Sequence, residues 1–192
     1  MLKQDGFSPV FVDFSQSAWK KRHAEGKKQG LVRACQPAQG THIIDATAGW
    51  GRDAAVLASF GAQVLMLERN PTMAALLEDA LHRDPTMKLG LTLIMTDAQS
   101  YLSALTSTKY PDVVYIDPMH PIRQKSALVK KDMQLLQHLV KPDEDTADLI
   151  QLAITRTQKR VVVKWPQHEK PSYPPDFSLP GKTVRFDVYL SR

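Results

Sequence analysis

Apolar and polar positions divide the chain into short runs separated by helical spacing. The apolar runs lie at 42–45, 63–68, 91–94, 112–117 and 160–164. Most are β-branched and continuous rather than alternating. That pattern predicts strands buried on both faces of a parallel sheet. The segment 53–60 after the first run has helical spacing. So does 71–81 after the second, with Asn70 placed to cap it and Pro71 at the first helical position. A longer helix is expected from about Ser126, where Val129, Met133, Leu136 and Val140 recur at helical intervals until Pro142 ends it. Another is expected over 145–157, with Ala147, Ile150 and Ile154 on one face.

Strand and helix in alternation predict right-handed crossovers and a doubly wound, mostly parallel α/β sheet. The carboxyl-terminal run 183–190 differs because it alternates, with Val184, Phe186, Val188 and Leu190 on one face. It is expected to be an added antiparallel edge strand. The proline-rich stretch 166–181 reads as a loop. Near the amino terminus, Phe11 to Phe14 has the pattern of a short strand, and Leu31 to Cys35 of a helix leading into the first core strand.

Composition narrows the class. With 192 residues and 43% hydrophobic positions, the chain suits one domain with a real core. A formal charge of +5 is compatible with a polyanionic partner without demanding one. The single cysteine, Cys35, excludes an intramolecular disulfide and a cysteine-rich zinc centre, and the six histidines stand singly. No metal is therefore expected. The polar start and the lack of a long apolar stretch predict a soluble, cytoplasmic protein without a membrane span.

The first strand runs into Asp45-Ala46-Thr47-Ala48-Gly49-Trp50-Gly51-Arg52-Asp53. Glycines at the carboxyl end of a first strand let the backbone turn sharply and let a ligand approach closely. Glu68 ends the second strand, about 20 residues after Asp45, where a carboxylate can accept both ribose hydroxyls of an adenosine. Asp97 follows the third strand, within reach of an adenine amine, and Asp117 ends the fourth. Acids and glycines at four strand ends share the edge where open α/β sheets bind ligands. NAD survives the spacing test, since Ala54 supplies a third small residue. Against it, Asp53 puts a negative charge in the turn that would hold a pyrophosphate. Asp45 suits the cationic sulfonium and ammonium of S-adenosylmethionine better.

The fourth strand leads into Asp117-Pro118-Met119-His120-Pro121. Methylating an exocyclic amine needs acceptors against its N–H bonds, to pyramidalise the nitrogen and aim its lone pair, and otherwise in-line positioning. Asp117 and the Pro118 carbonyl are candidates for those acceptors. His120 fits stacking on a base, capping a turn, or neither. Arg123, Lys125, Lys130 and Lys131 follow this loop as a candidate phosphate clamp, and Lys20, Lys21, Arg22, Lys27 and Lys28 form a second basic group. Either group is also consistent with a solvated face.

In order and spacing, several segments resemble the RsmJ family of small-subunit (16S) ribosomal RNA guanine-N2 methyltransferases. These are 45–53, 66–71, 117–121, the Lys-Ser-Ala-Leu-Val-Lys-Lys run at 125–131, 159–164 and Arg-Phe-Asp-Val-Tyr at 185–189. The resemblance covers most of 11–192. It implies a class I, Rossmann-like methyltransferase fold and S-adenosylmethionine as cofactor. It also implies 16S ribosomal RNA or the small ribosomal subunit as partner. The cofactor contacts it implies are Arg52-Asp53, Glu68-Arg69, Asp97-Ala98 and Asp117, beside Asp45, Gly49 and Gly51 of the turn. Family members often have small hydroxyl residues where this chain has Asp97-Ala98. The glycine-rich basic stretch of the family corresponds to Glu25-Gly26-Lys27-Lys28-Gln29-Gly30. Residues 1–40 are then expected to be an RNA-facing extension and 41–192 the methyltransferase domain. The rivals are an NAD-dependent oxidoreductase and an RNA-binding module without catalysis.

Overall fold

A computed structural model describes residues 11–83, 89–118 and 146–192. Its seven-stranded sheet has the order β3-β2-β1-β4-β5-β7-β6. The strands are β1 (His42–Asp45), β2 (Gln63–Glu68), β3 (Leu91–Met95), β4 (Val113–Ile116), β5 (Arg160–Pro166), β6 (Phe177–Leu179) and β7 (Val184–Leu190). β1 to β5 pair in parallel, and β7 runs antiparallel to both β5 and β6. Strand order reverses between β1 and β4, which is where such a sheet opens a crevice at its carboxyl edge. The five parallel strands and the antiparallel addition are those expected from the pattern. The antiparallel edge is a pair, because β6 lies outermost. It falls in the stretch read as a loop, and its three residues between prolines are too few to show alternation.

Helices α1 (Gln16–Glu25), α2 (Gly30–Cys35), α3 (Arg52–Ser59), α4 (Pro71–Arg83), α5 (Ala98–Ala104) and α6 (Thr146–Ile154) flank the sheet. The Asn70 cap is present: its Oδ1 accepts from the amides of Thr72 at 2.9 Å and Met73 at 3.2 Å. The short α5 has no counterpart in the sequence reading. It is capped by Asp97, whose Oδ1 accepts from the Ser100 amide at 2.9 Å. α6 is shorter than expected and is rotated, burying Thr146, Leu149, Ile150 and Ala153 rather than the Ala147, Ile150 and Ile154 face. Those four positions follow i, i+3, i+4, i+7, so the stripe is helical but set one position away. The helix expected from Ser126 lies outside the described residues.

Two apolar clusters cover the two sheet faces. One joins Ile43, Val64, Tyr115, Val162 and Val188 to α2, α3 and α4, and it also takes in Val12, Phe14, Leu31 and Val32. The other joins Ile44, Val114, Val161, Val163 and Tyr189 to α5 and α6. The segment 11–14 is not a strand, yet Val12 and Phe14 are buried. Phe14 lies under the first turn. A Cβ on Gly51 would meet two atoms of its ring at 2.8 Å, and Gly51 has φ +65°, so only glycine fits there.

On β7 the Arg185 guanidinium and Asp187 carboxylate share one face, both buried, with bonds of 2.9 and 3.1 Å. Arg185 also donates to the carbonyls of Pro166 at 2.8 Å and Gln167 at 3.0 Å, and Asp187 accepts from the Ser178 hydroxyl at 2.6 Å. One buried ion pair thus ties β5, β6 and β7 together. Removing one partner of such a pair strands a buried charge. Arg185→Leu is therefore expected to cost about 3–5 kcal/mol of stability, and Arg185→Leu with Asp187→Leu much less. Urea unfolding of both variants is the measurement. Equal losses in the two would show that the pair is not desolvated.

Candidate active site

Five amides of the turn from β1 to α3 are bonded within the protein. The amide of Ala46 donates to Tyr115 O at 2.9 Å, that of Thr47 to Asp45 Oδ1 at 3.2 Å, and that of Ala48 to Leu67 O at 3.1 Å. The Gly49 amide donates to Glu68 Oε2 at 3.0 Å and the Gly51 amide to Ala48 O at 2.8 Å. Glu68, buried at the end of β2, also accepts from the Asn70 amide at 2.8 Å through Oε1. It staples the first turn to the second. A carboxylate oxygen can accept more than one bond, so this staple leaves a ribose contact chemically open. A pyrophosphate needs outward amides at this turn. Here five of them are committed elsewhere.

The charge of Asp53 is likewise committed. Its Oδ1 meets the Arg22 guanidinium at 2.7 Å, and its Oδ2 meets the Tyr115 hydroxyl at 2.6 Å and Lys164 Nζ at 3.2 Å. Burial opposes its ionisation, but Lys164, Arg22 and the Tyr115 hydroxyl outweigh burial and hold the carboxyl at about 2. The negative charge of Asp53 is thus neutralised and is no ground against a pyrophosphate.

Lys164 is the group that sequence reasoning missed. From β5 its Nζ also contacts Asp117 Oδ2 at 2.7 Å, bridging the acid of the first turn and the acid at the end of β4. Burial works against its charge, but Asp53 and Asp117 more than compensate and push its pKa upward. The signal was there: a lysine closes the β-branched run Val161-Val162-Val163 at the same sheet edge as the strand-end acids. The Asp117 backbone is fixed as well, its amide donating to Thr47 Oγ1 at 2.6 Å. Pro118 follows and is buried.

Asp45, 1% exposed, has no such cation. Burial raises its pKa to about 8, and the charges of Asp53, Asp117 and Glu68 add to the effect while the Thr47 amide opposes it. Arg52 and Arg69 are exposed, with the Arg52 guanidinium 5.7 Å from the Trp50 ring centroid. Asp97 caps α5 and Ala98 is buried behind it. The edge therefore assembles Asp45, Gly49, Gly51, Arg52, Asp53, Glu68, Arg69 and Asp117, with Asp97 and Ala98 after β3. His120, Arg123, Lys125, Lys130 and Lys131 lie outside the described residues. Among the described residues no group of His, Cys, Asp and Glu is arranged to hold a metal ion, and no helix is long and apolar enough to cross a membrane.

A family described as "Putative SAM-dependent methyltransferase" matches residues 1–191. The chain is 59% identical to the ribosomal RNA small subunit methyltransferase J of Legionella pneumophila (strain Corby), over 98% of this chain and 79% of that protein. The chain belongs to this methyltransferase J family. The protein of the same name from Coxiella burnetii (strain Dugway 5J108-111) is 48% identical, over 95% of this chain and 75% of its own length. A crystal structure of a SAM-dependent methyltransferase from Neisseria gonorrhoeae superposes with a TM-score of 0.76 at 32% identity, covering 98% of this chain and 78% of that one. Membership in the methyltransferase J family settles the cofactor class as S-adenosylmethionine and the fold as class I. Glu68 and Asp117 stand at the ends of β2 and β4 beside this turn, where carboxylates can meet a cationic ligand.

The Asp45 pKa has a consequence for stability. The unfolded chain releases this proton at about pH 4, whereas the folded protein holds it to about 8. Stability from this group is therefore complete below about pH 4 and is lost as the pH rises to about 8. Asp45→Asn is expected to escape this decline, so that its urea midpoint gains on the parent across that window. Parallel pH profiles would place the Asp45 pKa near its ordinary value.

Proposed function

We propose that this protein transfers a methyl group from S-adenosylmethionine to the exocyclic N2 amine of a guanine in small-subunit (16S) ribosomal RNA, and that it does so in the cytoplasm. The observation that carries the reading is Asp117, held at the end of β4 by Lys164 at 2.7 Å and by Thr47 at 2.6 Å, beside the turn from β1 to α3. Its relatives' names supply the RNA class, as ribosomal RNA small subunit methyltransferases.

In this reading Glu68 holds the ribose, Asp97-Ala98 the adenine, and Asp45, Gly49, Gly51 and Arg52 line the cofactor's remaining edge with Arg69. Asp53 acts on the site through Lys164, since its carboxylate is spent on Arg22, Tyr115 and that lysine. The cofactor supplies an electrophilic methyl group on a sulfonium. Asp117 and the Pro118 carbonyl accept from the guanine N–H bonds, which pyramidalises the nitrogen and points its lone pair outward. The proton that the nitrogen gives up leaves along the Asp117 hydrogen bond. A guanine stacked in a helix cannot reach this edge, so the target is unpaired or flipped. His120, Arg123, Lys125, Lys130 and Lys131 contact the RNA around it. Membership in a SAM-dependent methyltransferase family counts against the NAD-dependent alternative, and the fixed Asp117-Pro118 pair counts against a module without catalysis.

Two variants test the chemistry. Asp117→Asn keeps the shape but loses the charge and adds a competing donor. Single-turnover methyl transfer should fall by roughly 10²–10³-fold, the size seen for losing one preorganised group, with RNA binding nearly intact. Transfer at the parent rate would move the burden to the Pro118 carbonyl and to positioning.

Lys164→Met should act through Asp117. Without the cation the Asp117 carboxyl becomes easier to protonate, so the acid limb of the pH–rate profile should shift upward. Lys164→Arg, which restores the charge, should bring the limb back toward the parent. A rate loss with an unmoved acid limb would assign Lys164 a purely structural role.

A further inference from the structure

α1 is unusual among the described helices. None of its ten residues is buried. Trp19, Arg22, His23 and Gly26 recur on the side toward the protein and are half-buried, while Lys20, Lys21, Ala24 and Glu25 are exposed. The contacts on the inner side are polar and aromatic. Trp19 Nε1 donates to Phe14 O at 3.1 Å, His23 Nδ1 meets Ser59 Oγ at 2.9 Å, and the His23 ring stacks on Phe60 with centroids 4.4 Å apart. Arg22 reaches Asp53 of the first turn at 2.7 Å and is itself oriented by Gln29 at 3.0 Å. α1 is thus held to the fold by its inner side, and its outer side is left exposed. Among the described residues Lys20, Lys21, Lys27 and Lys28 form no ion pair, and Glu25 is not paired with any of them.

We propose that the outward face of α1 and the turn after it, formed by Lys20, Lys21, Lys27 and Lys28, is a docking surface for the phosphate backbone of the ribosomal RNA substrate. This rests on the functional reading above. Four unpaired cations within nine residues complement a polyanion, and lysine is a point charge that tolerates variation in phosphate geometry. Arg22 has a different task. Its guanidinium is turned inward onto Asp53, so it indexes the basic face to the turn that neighbours Asp117 through Lys164. RNA held on α1 is thereby held at a set position relative to the reacting edge.

The test compares the parent with the variant Lys20→Ala, Lys21→Ala, Lys27→Ala, Lys28→Ala. Both are measured with protein-free small-subunit ribosomal RNA and with assembled small subunits. Each neutralised phosphate contributes about 0.7–0.9 to the slope of log affinity against log salt, so losing four contacts should make the slope shallower by about 3. KM for RNA should rise at least about tenfold at moderate salt, while cofactor affinity and kcat at saturating RNA stay at parent values. An unchanged slope and KM on free RNA overturn the proposal. So does a loss seen only with assembled subunits, which would make the partner a ribosomal protein. If the parent itself fails to methylate either substrate, the functional reading falls instead. A second measurement needs no variant: RNA should protect Lys20, Lys21, Lys27 and Lys28 of the parent from an amine-acetylating reagent. Equal acetylation with and without RNA refutes the docking surface even where the variant fails to fold.

Discussion

The contact of Lys164 with Asp53 and Asp117 is the constraint around which this sheet edge is built. Asp45, Asp53, Glu68 and Asp117 all gather at the carboxyl ends of β1, β2 and β4 or at the start of α3. Like charges in a partly desolvated crevice repel strongly, and the cost of ionising them rises with burial. The fold meets this in three ways. Lys164 and Arg22 neutralise Asp53, and Lys164 also serves Asp117. Backbone amides solvate Glu68. Asp45, with only the Thr47 amide against its burial, keeps its proton to about pH 8. Among the described residues, Asp53 therefore carries its charge against two cations, while Asp45 is held neutral until about pH 8. The charge of this edge is set by how its acids are partnered rather than by how many there are.

The rest of the architecture holds that lysine in place. Lys164 follows Val162 on the sheet face that carries Tyr115, and the register sets Val162 beside Tyr115 and Lys164 beside Phe186 of β7. Tyr115 itself donates to Asp53. β5 is therefore not just another core strand, because its last residues deliver a charge to the edge while Val161, Val163 and Trp165 pack on the opposite face. The antiparallel β7, pinned through Arg185 and Asp187 to the segment after β5, fixes the end from which Lys164 projects. A stretch that looks like an appendage to a parallel sheet is part of the support of its reactive edge.

Much of this was legible in the chain because it depends on local chemistry. Continuous β-branched runs locate the parallel strands, Asn70-Pro71 marks a helix start, and the alternation after Thr183 marks the antiparallel run. Strand-end acids and the two glycines of the first turn point to the ligand edge. What was not legible depends on partners distant in sequence. Lys164 lies 111 residues from Asp53 and 47 from Asp117, and periodicity tells which face a residue takes, not what it meets there. The same limit reversed the meaning of Asp53. Read alone it is a free negative charge, and only the fold brings Arg22 and Lys164 to it. α5 escaped notice because seven residues give too little periodicity, and β6 because three give none.

The lysine also bears on what kind of chemistry Asp117 can perform. A carboxylate paired with an ammonium at 2.7 Å is a weaker base than one facing solvent, since the ion pair stabilises its charged form. An enzyme that had to remove a proton before the methyl moved would be poorly served by such a partner. A guanine amine imposes a different demand. Its nitrogen is a poor nucleophile because the lone pair is delocalised into the ring, and its proton becomes strongly acidic only once the new bond gives the nitrogen positive charge. The group beside it needs to remain ionised and fixed in direction while the nitrogen rehybridises, and a weak base then suffices to take the proton. Lys164 supplies ionisation and direction together, at the expense of basicity that the proposed reaction does not use. In this reading the pair favours methylation of an exocyclic amine over reactions that begin with a difficult deprotonation.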